Sequence, residues 1–118
     1  MTEQQYVAEI LRTYAGADDP MSKLTLGALG LAGETGEVVD MVKKHVFQGH
    51  EIDQEKFRDE LGDVLWYFIL ICHIVGYSLE EVMICNVEKL RRRYPGGFEV
   101  ERSVHRLEAA TCSQDGAI

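Results

Sequence analysis

The chain has 118 residues, 46% of them hydrophobic, which suffices for one domain with a core of its own. Twelve Lys and Arg against 20 Asp and Glu leave a formal net charge of −8. That balance argues against sequence-independent binding to nucleic acid or to anionic membrane. It leaves a small phosphorylated ligand open, because bound divalent cations reverse a local field.

The three cysteines, Cys72, Cys85 and Cys112, are odd in number and lack CxxC spacing. Cys72 and Cys85 fall in apolar helical patterns, where a free thiol behaves as a small core residue. No disulfide framework or zinc knuckle is expected, and a reducing cytoplasm is the simplest home. Residues 1–5 have neither a basic region nor an apolar segment, so no signal peptide is expected. The longest hydrophobic run, residues 64–72, is far too short to span a bilayer.

In chain order, residues 2–15 read as a short amphipathic helix. Thr2 and Gln5 have capping-box spacing, and Tyr6, Val7, Ile10, Leu11 and Tyr14 form an i, i+3, i+4 stripe. Two acids before Pro20 signal a turn. A longer second helix is expected from near Ser22 to about Val46. It carries Gly27, Gly30, Gly33 and Gly36 at intervals of three. This is not a phosphate loop, since no strand precedes it and neither GxGxxG nor a GK[ST] ending is present. Glycines there suit close helix contacts, offsetting about 1 kcal/mol of lost propensity each.

Asp53 is the expected N-cap of a third helix over about 54–76, apolar almost all round after Asp63 and therefore the central one. Gly76 ends it. Ser78 and Glu81 form a second capping box, opening a fourth helix through about Arg93, which Tyr94-Pro95-Gly96-Gly97 stops. The pattern thins after Phe98, with one more turn conceivable at Val104. The expectation is an all-α chain: one domain over residues 1–102 and a flexible tail over 103–118.

Two acid pairs carry the chemistry. Glu34 and Glu37 share one helical face, as do Glu60 and Asp63. Antiparallel packing of the second and third helices brings the pairs together. Four unpaired carboxylates at close range repel and raise one another's pKa, and Mg²⁺ relieves that repulsion with oxygen ligands. Solvated acids paired with lysines would explain one ExxE; two such pairs inside apolar stretches favour a metal. Asp40 is better explained by an i, i+4 ion pair with Lys44, and Lys44 is equally a candidate phosphate ligand on the Glu37 face. Tyr67 lies on the acidic face, where its ring could stack on a base or serve as core. Trp66 is turned about a quarter-circle away on the same wheel, which suits core or a subunit interface.

On the fourth helix Asn86, Lys89 and Arg93 share a face that suits a polyphosphate, against the plainer reading of a basic last turn answering the helix dipole. Arg92 has an i, i+4 partner in Glu88. The four histidines form no metal spacing, and the absence of ExxH argues against a di-iron site.

Glu34-x-x-Glu37, a spacer of 22 residues and Glu60-x-x-Asp63 together resemble the bipartite ExxE…ExxD signature of the MazG-like, all-α nucleoside triphosphate pyrophosphohydrolases. Leu31-Ala32-Gly33-Glu34-Thr35-Gly36-Glu37, the run from Asp59 to Tyr67, and Asn86-x-x-Lys89-Leu90-x-x-Arg93-Tyr94-Pro95 strengthen the match, over about residues 20–98. The resemblance implies a four-helix bundle completed by oligomerisation as a homodimer or homotetramer. It implies hydrolysis of a (d)NTP to the monophosphate and pyrophosphate in nucleotide pool cleaning. By carry-over, Glu34, Glu37, Glu60 and Asp63 hold Mg²⁺, with Mn²⁺ able to substitute, while Asn86, Lys89 and Arg93 contact phosphates. One carboxylate accepts the proton of the attacking water, with Glu37 and Glu60 the candidates. The same superfamily includes dUTP and phosphoribosyl-ATP pyrophosphatases, so the base stays open. A non-catalytic helical association module is the alternative of a different class.

Overall fold

The computed structural model describes residues 1–105, and the chain divides into two compact units, residues 1–77 and a second that begins at Ser78. Every regular element among the described residues is an α-helix.

In the first unit, α1 spans Glu3–Thr13 and opens with the expected reciprocal box. The Gln5 amide donates to the Thr2 hydroxyl at 3.2 Å, and the Thr2 amide donates to Gln5 Oε1 at 2.8 Å. Ile10 is fully buried, and the helix packs on α3.

Helix α2 spans Pro20–Gln48, starting two residues before the expected Ser22 and ending two after Val46. The acids before Pro20 are a start signal rather than a turn: Asp19 Oδ1 accepts from the Ser22 amide at 2.8 Å, and Pro20 takes the first helical position, where a missing N–H costs nothing. Gly49 ends the helix at φ +70°, in the left-handed region that only glycine enters freely.

Helix α3, Gln54–Val75, is capped by Asp53, whose carboxylate accepts from the Glu55 and Lys56 amides at 3.0 and 3.1 Å. As expected, it is central. It supplies Ile69, Leu70 and Cys72, three of the four buried hydrophobic side chains among the described residues. Cys72 keeps a free thiol, whose pKa burial pushes upward.

Two of the four spaced glycines explain how closely α2 and α3 pack. A Cβ at Gly27 would meet Ile71 Cγ1 at 2.8 Å, and one at Gly30 would meet Tyr67 Cε1 at 2.1 Å. Gly27 faces Ile71, Gly30 faces Tyr67, and further along α2 Glu34 approaches Asp63 and Glu60. Rising numbers on one helix meet falling numbers on the other, so the pair is antiparallel. Gly33 and Gly36 have no such neighbour.

In the second unit, α4 spans Leu79–Arg93 behind the Ser78–Glu81 capping box, with Arg91, Arg92 and Arg93 in its last turn. Tyr94 and Phe98 bring their rings to 5.4 Å, and a short α5 covers Val100–Val104. Cys85 is half-buried on α4. Residues 106–118, with Cys112 and most of the expected tail, lie outside the described residues. No single described helix is long and apolar enough to cross a membrane.

Candidate metal centre and adjoining cavity

The α2–α3 pairing sets Glu34, Glu60 and Asp63 so that one carboxylate oxygen of each lies within 4.8 Å of the others. Glu34 and Glu60 are half-buried and Asp63 is exposed, so the cluster opens to solvent on one side. None of the three is in an ion pair with a lysine or arginine among the described residues. Burial raises the pKa of Glu34, and the charges of Asp63, Glu60 and Glu37 raise it further. Tyr6 of α1 is also close enough to feel Asp63: burial, then that charge, pushes its phenol upward. Three convergent oxygens with no internal cation form a hard donor set that fits Mg²⁺ or Mn²⁺ and suits soft metals poorly.

Glu37 is the one member of the two acid pairs outside this triad. It is exposed, and its charge reaches both Glu34 and Lys44. Lys44 is engaged as the ion-pair reading expected, at 2.5 Å from Asp40 Oδ2, and Lys43 binds the same carboxylate. Hydrogen bonds from both ammonium groups hold the Asp40 pKa down to about 2.

A cavity of about 530 Å³ adjoins the acids. Glu34, Asp63, Trp66 and Tyr67 line it from α2 and α3, and Thr13, Ala15, Gly16 and Leu26 complete the wall. The segment between α1 and α2 is fastened by its own side chains. The Tyr14 hydroxyl donates to the Ala17 carbonyl at 2.7 Å, and the Lys23 ammonium lies 5.5 Å from the Tyr14 ring centroid while pairing with Asp18 at 2.5 Å.

Tyr67 lines the cavity beside Glu34 and Asp63. Trp66, assigned from the wheel to core or interface, lines the cavity instead, its ring centroid 4.8 Å from that of Tyr67 at an interplanar angle of 74°. Its i, i+3 relation to Asp63 was the available signal. The wall from Thr13 to Gly16 had none, because a polar connection shows its neighbours only once α1 has packed.

Asn86, Lys89 and Arg93 lie on α4 of the second unit. Asn86 is exposed, while Lys89 and Arg93 are half-buried. Arg93 Nε is buried and meets no hydrogen-bond acceptor among the described residues.

All-helical architecture among the described residues, with acids converging from two antiparallel helices, gives an oxygen-rich candidate site for a divalent cation. The family model of the MazG nucleotide pyrophosphohydrolase domain matches residues 22–98, and the chain belongs to that family. It is similar to the Gene 37 protein of Mycobacterium phage L5, with 33% identity over 87 residues, covering 70% of this chain and 76% of the phage protein. No solved structure matches.

Proposed function

We propose that the chain is a Mg²⁺-dependent nucleoside triphosphate pyrophosphohydrolase, converting a (d)NTP and water to a (d)NMP and pyrophosphate. The observation that carries this reading is the convergence of Glu34, Glu60 and Asp63, unpaired with any Lys or Arg among the described residues, with Glu34 and Asp63 also lining a cavity that Trp66 and Tyr67 share. In a family of nucleotide pyrophosphohydrolases, that pairing supplies one place for phosphate-bound metal and another for a base.

Glu34, Glu60 and Asp63 hold Mg²⁺, or Mn²⁺ in its place, and exposed Glu37 completes the ligand set or takes the proton of the attacking water, a role shared as candidate with Glu60. When bound, the ion supplies coordination of phosphate oxygens and neutralises charge on the leaving group. Water adds its oxygen to a phosphoryl group, the α–β anhydride bond breaks, and pyrophosphate departs with that bond's electron pair. Asn86, Lys89 and Arg93 of α4 are assigned to the phosphates on the family resemblance of the motif that carries them. Lys44 joins them only by exchanging Asp40 for substrate.

Self-association belongs to the same proposal. Leu29, Val39, Val46 and Phe47 of α2 are 60–81% exposed, a density of apolar surface that a homodimer or homotetramer would cover. Nucleotide pool cleaning in the cytoplasm is the role proposed. Product analysis across NTPs and dNTPs, with and without Mg²⁺, tests the reading. Monophosphate plus pyrophosphate, abolished by chelation, is expected. Diphosphate plus orthophosphate would overturn the assigned bond, and no turnover in a folded, metal-loaded sample would overturn the activity.

A further inference from the structure

We propose that Trp66 is the platform on which the nucleobase stacks, and that base affinity follows the area of the ring rather than its pattern of donors and acceptors. This rests on the nucleotide reading above and adds the part of the site that the acids leave undescribed.

Trp66 lines the same cavity as Glu34 and Asp63, so a ligand whose phosphates sit at the acids has its base within reach of the indole. The cavity's 530 Å³ lies within the roughly 300–1,000 Å³ typical of small-ligand clefts. Tyr67 is the other aromatic candidate, but its ring is already committed. It lies against the α2 backbone at Gly30, where a Cβ would be 2.1 Å from Cε1, and it meets Trp66 edge to face. Tyr67 therefore props the indole, and the indole is the larger surface left to a ligand.

Apart from the Tyr67 hydroxyl, the rest of the lining gives little with which to read a base edge. Leu26 and Ala15 are apolar. The Thr13 hydroxyl donates back into its own helix, to the Glu9 carbonyl at 2.9 Å and the Ile10 carbonyl at 3.2 Å. Glu34 and Asp63 belong to the acid cluster, and no Asn or Gln among the described residues lines the wall. Tight selection of one base requires buried donors and acceptors left unpaired by the wrong one. Stacking requires only a π-face, which every base has, and it strengthens with ring area.

Trp66 is the chain's sole tryptophan, so indole fluorescence reports this position alone. The experiment titrates the wild-type protein with adenosine, guanosine, cytidine and uridine, and separately with inorganic tripolyphosphate plus Mg²⁺. Saturable quenching by all four nucleosides is expected, with the two purines similar and several-fold tighter than the pyrimidines. Tripolyphosphate should not quench comparably. In steady-state hydrolysis W66A should raise KM about ten-fold or more while kcat falls far less, and W66F should recover most of the loss.

Hydrolysis of NTPs with no nucleoside quenching and an unchanged KM in W66A would sink the platform while leaving the enzymatic reading intact. Quenching by nucleosides in a protein that hydrolyses no NTP would do the reverse. A fall in kcat alone would show that Trp66 is structural. Sharp preference for one pyrimidine over both purines would overturn the ring-area rule.

Discussion

Glu34 and Asp40 sit six residues apart on α2, and their surroundings push their carboxyls in opposite directions. Asp40 accepts from Lys43 and Lys44, and its proton is lost easily, at a pKa of about 2. Glu34 has no basic partner, loses solvent and faces Asp63, Glu60 and Glu37, so its proton is held longer. The cation that satisfies Asp40 is built into the chain. Glu34, Glu60 and Asp63 have no such cation among the described residues, which distinguishes a surface ion pair from a candidate metal centre.

The largest effect should come from neutralising one member of the unpaired set. E60Q should lower NTP turnover by more than the 10–100-fold that even an outer partner of a metal ligand typically carries. Without divalent cations its melting temperature should hold or rise, because a repelling charge has gone; a fall in both activity and stability would mean that Glu60 is structural. G30A disturbs the same region through geometry while leaving its charges alone. The new Cβ lies 2.1 Å from the Tyr67 ring, so denaturant unfolding should show a loss of about 1–3 kcal/mol.

Acidity sharpens the contrast further. Divalent binding needs the ionised Glu34, so calorimetric Mg²⁺ affinity should begin to fall, on acidification from neutral, above the ordinary glutamate value of 4.5. In the metal-free protein the raised Glu34 pKa favours folding below its unfolded value, and that contribution fades as pH rises through the folded value. Asp40 has the opposite sign: its contribution is present above the unfolded value and is lost as pH falls through about 2. The smallest effect is assigned to D40N, which should change kcat/KM less than about two-fold, as expected for exposed ion pairs remote from the chemistry. A larger change in KM would bring Lys44 into the substrate site.

Helix ends were legible wherever one short side chain performs one local task. Thr2, Asp53 and Ser78 cap as expected, and Gly76 enters the left-handed region at φ +83°. Pro20 was harder, because Asp-Asp-Pro serves a turn and a helix start equally well, and the Asp19 contact to Ser22 decides for the start. Glu34, Glu60 and Asp63 converge because two i, i+3 pairs on antiparallel helices have few other registers available. The wheel gave no reason to separate Glu37 from them; that depends on where α3 crosses α2. Nor could it see that Gly30 seats the Tyr67 ring and so leaves Trp66 facing the cavity.

Gly33 and Gly36, which no α3 side chain touches, have a mechanical consequence. Each weakens the helix by about 1 kcal/mol relative to alanine, and together they bracket Glu34 and precede Glu37. This stretch of α2 is therefore more compliant than the turns clamped at Gly27 and Gly30. Backbone amides from residue 33 to 37 should exchange with solvent faster than those one turn upstream, and a bound cation should slow them. The acid-bearing segment is thus the softer part of α2, seated beside a part held fixed by close packing on α3.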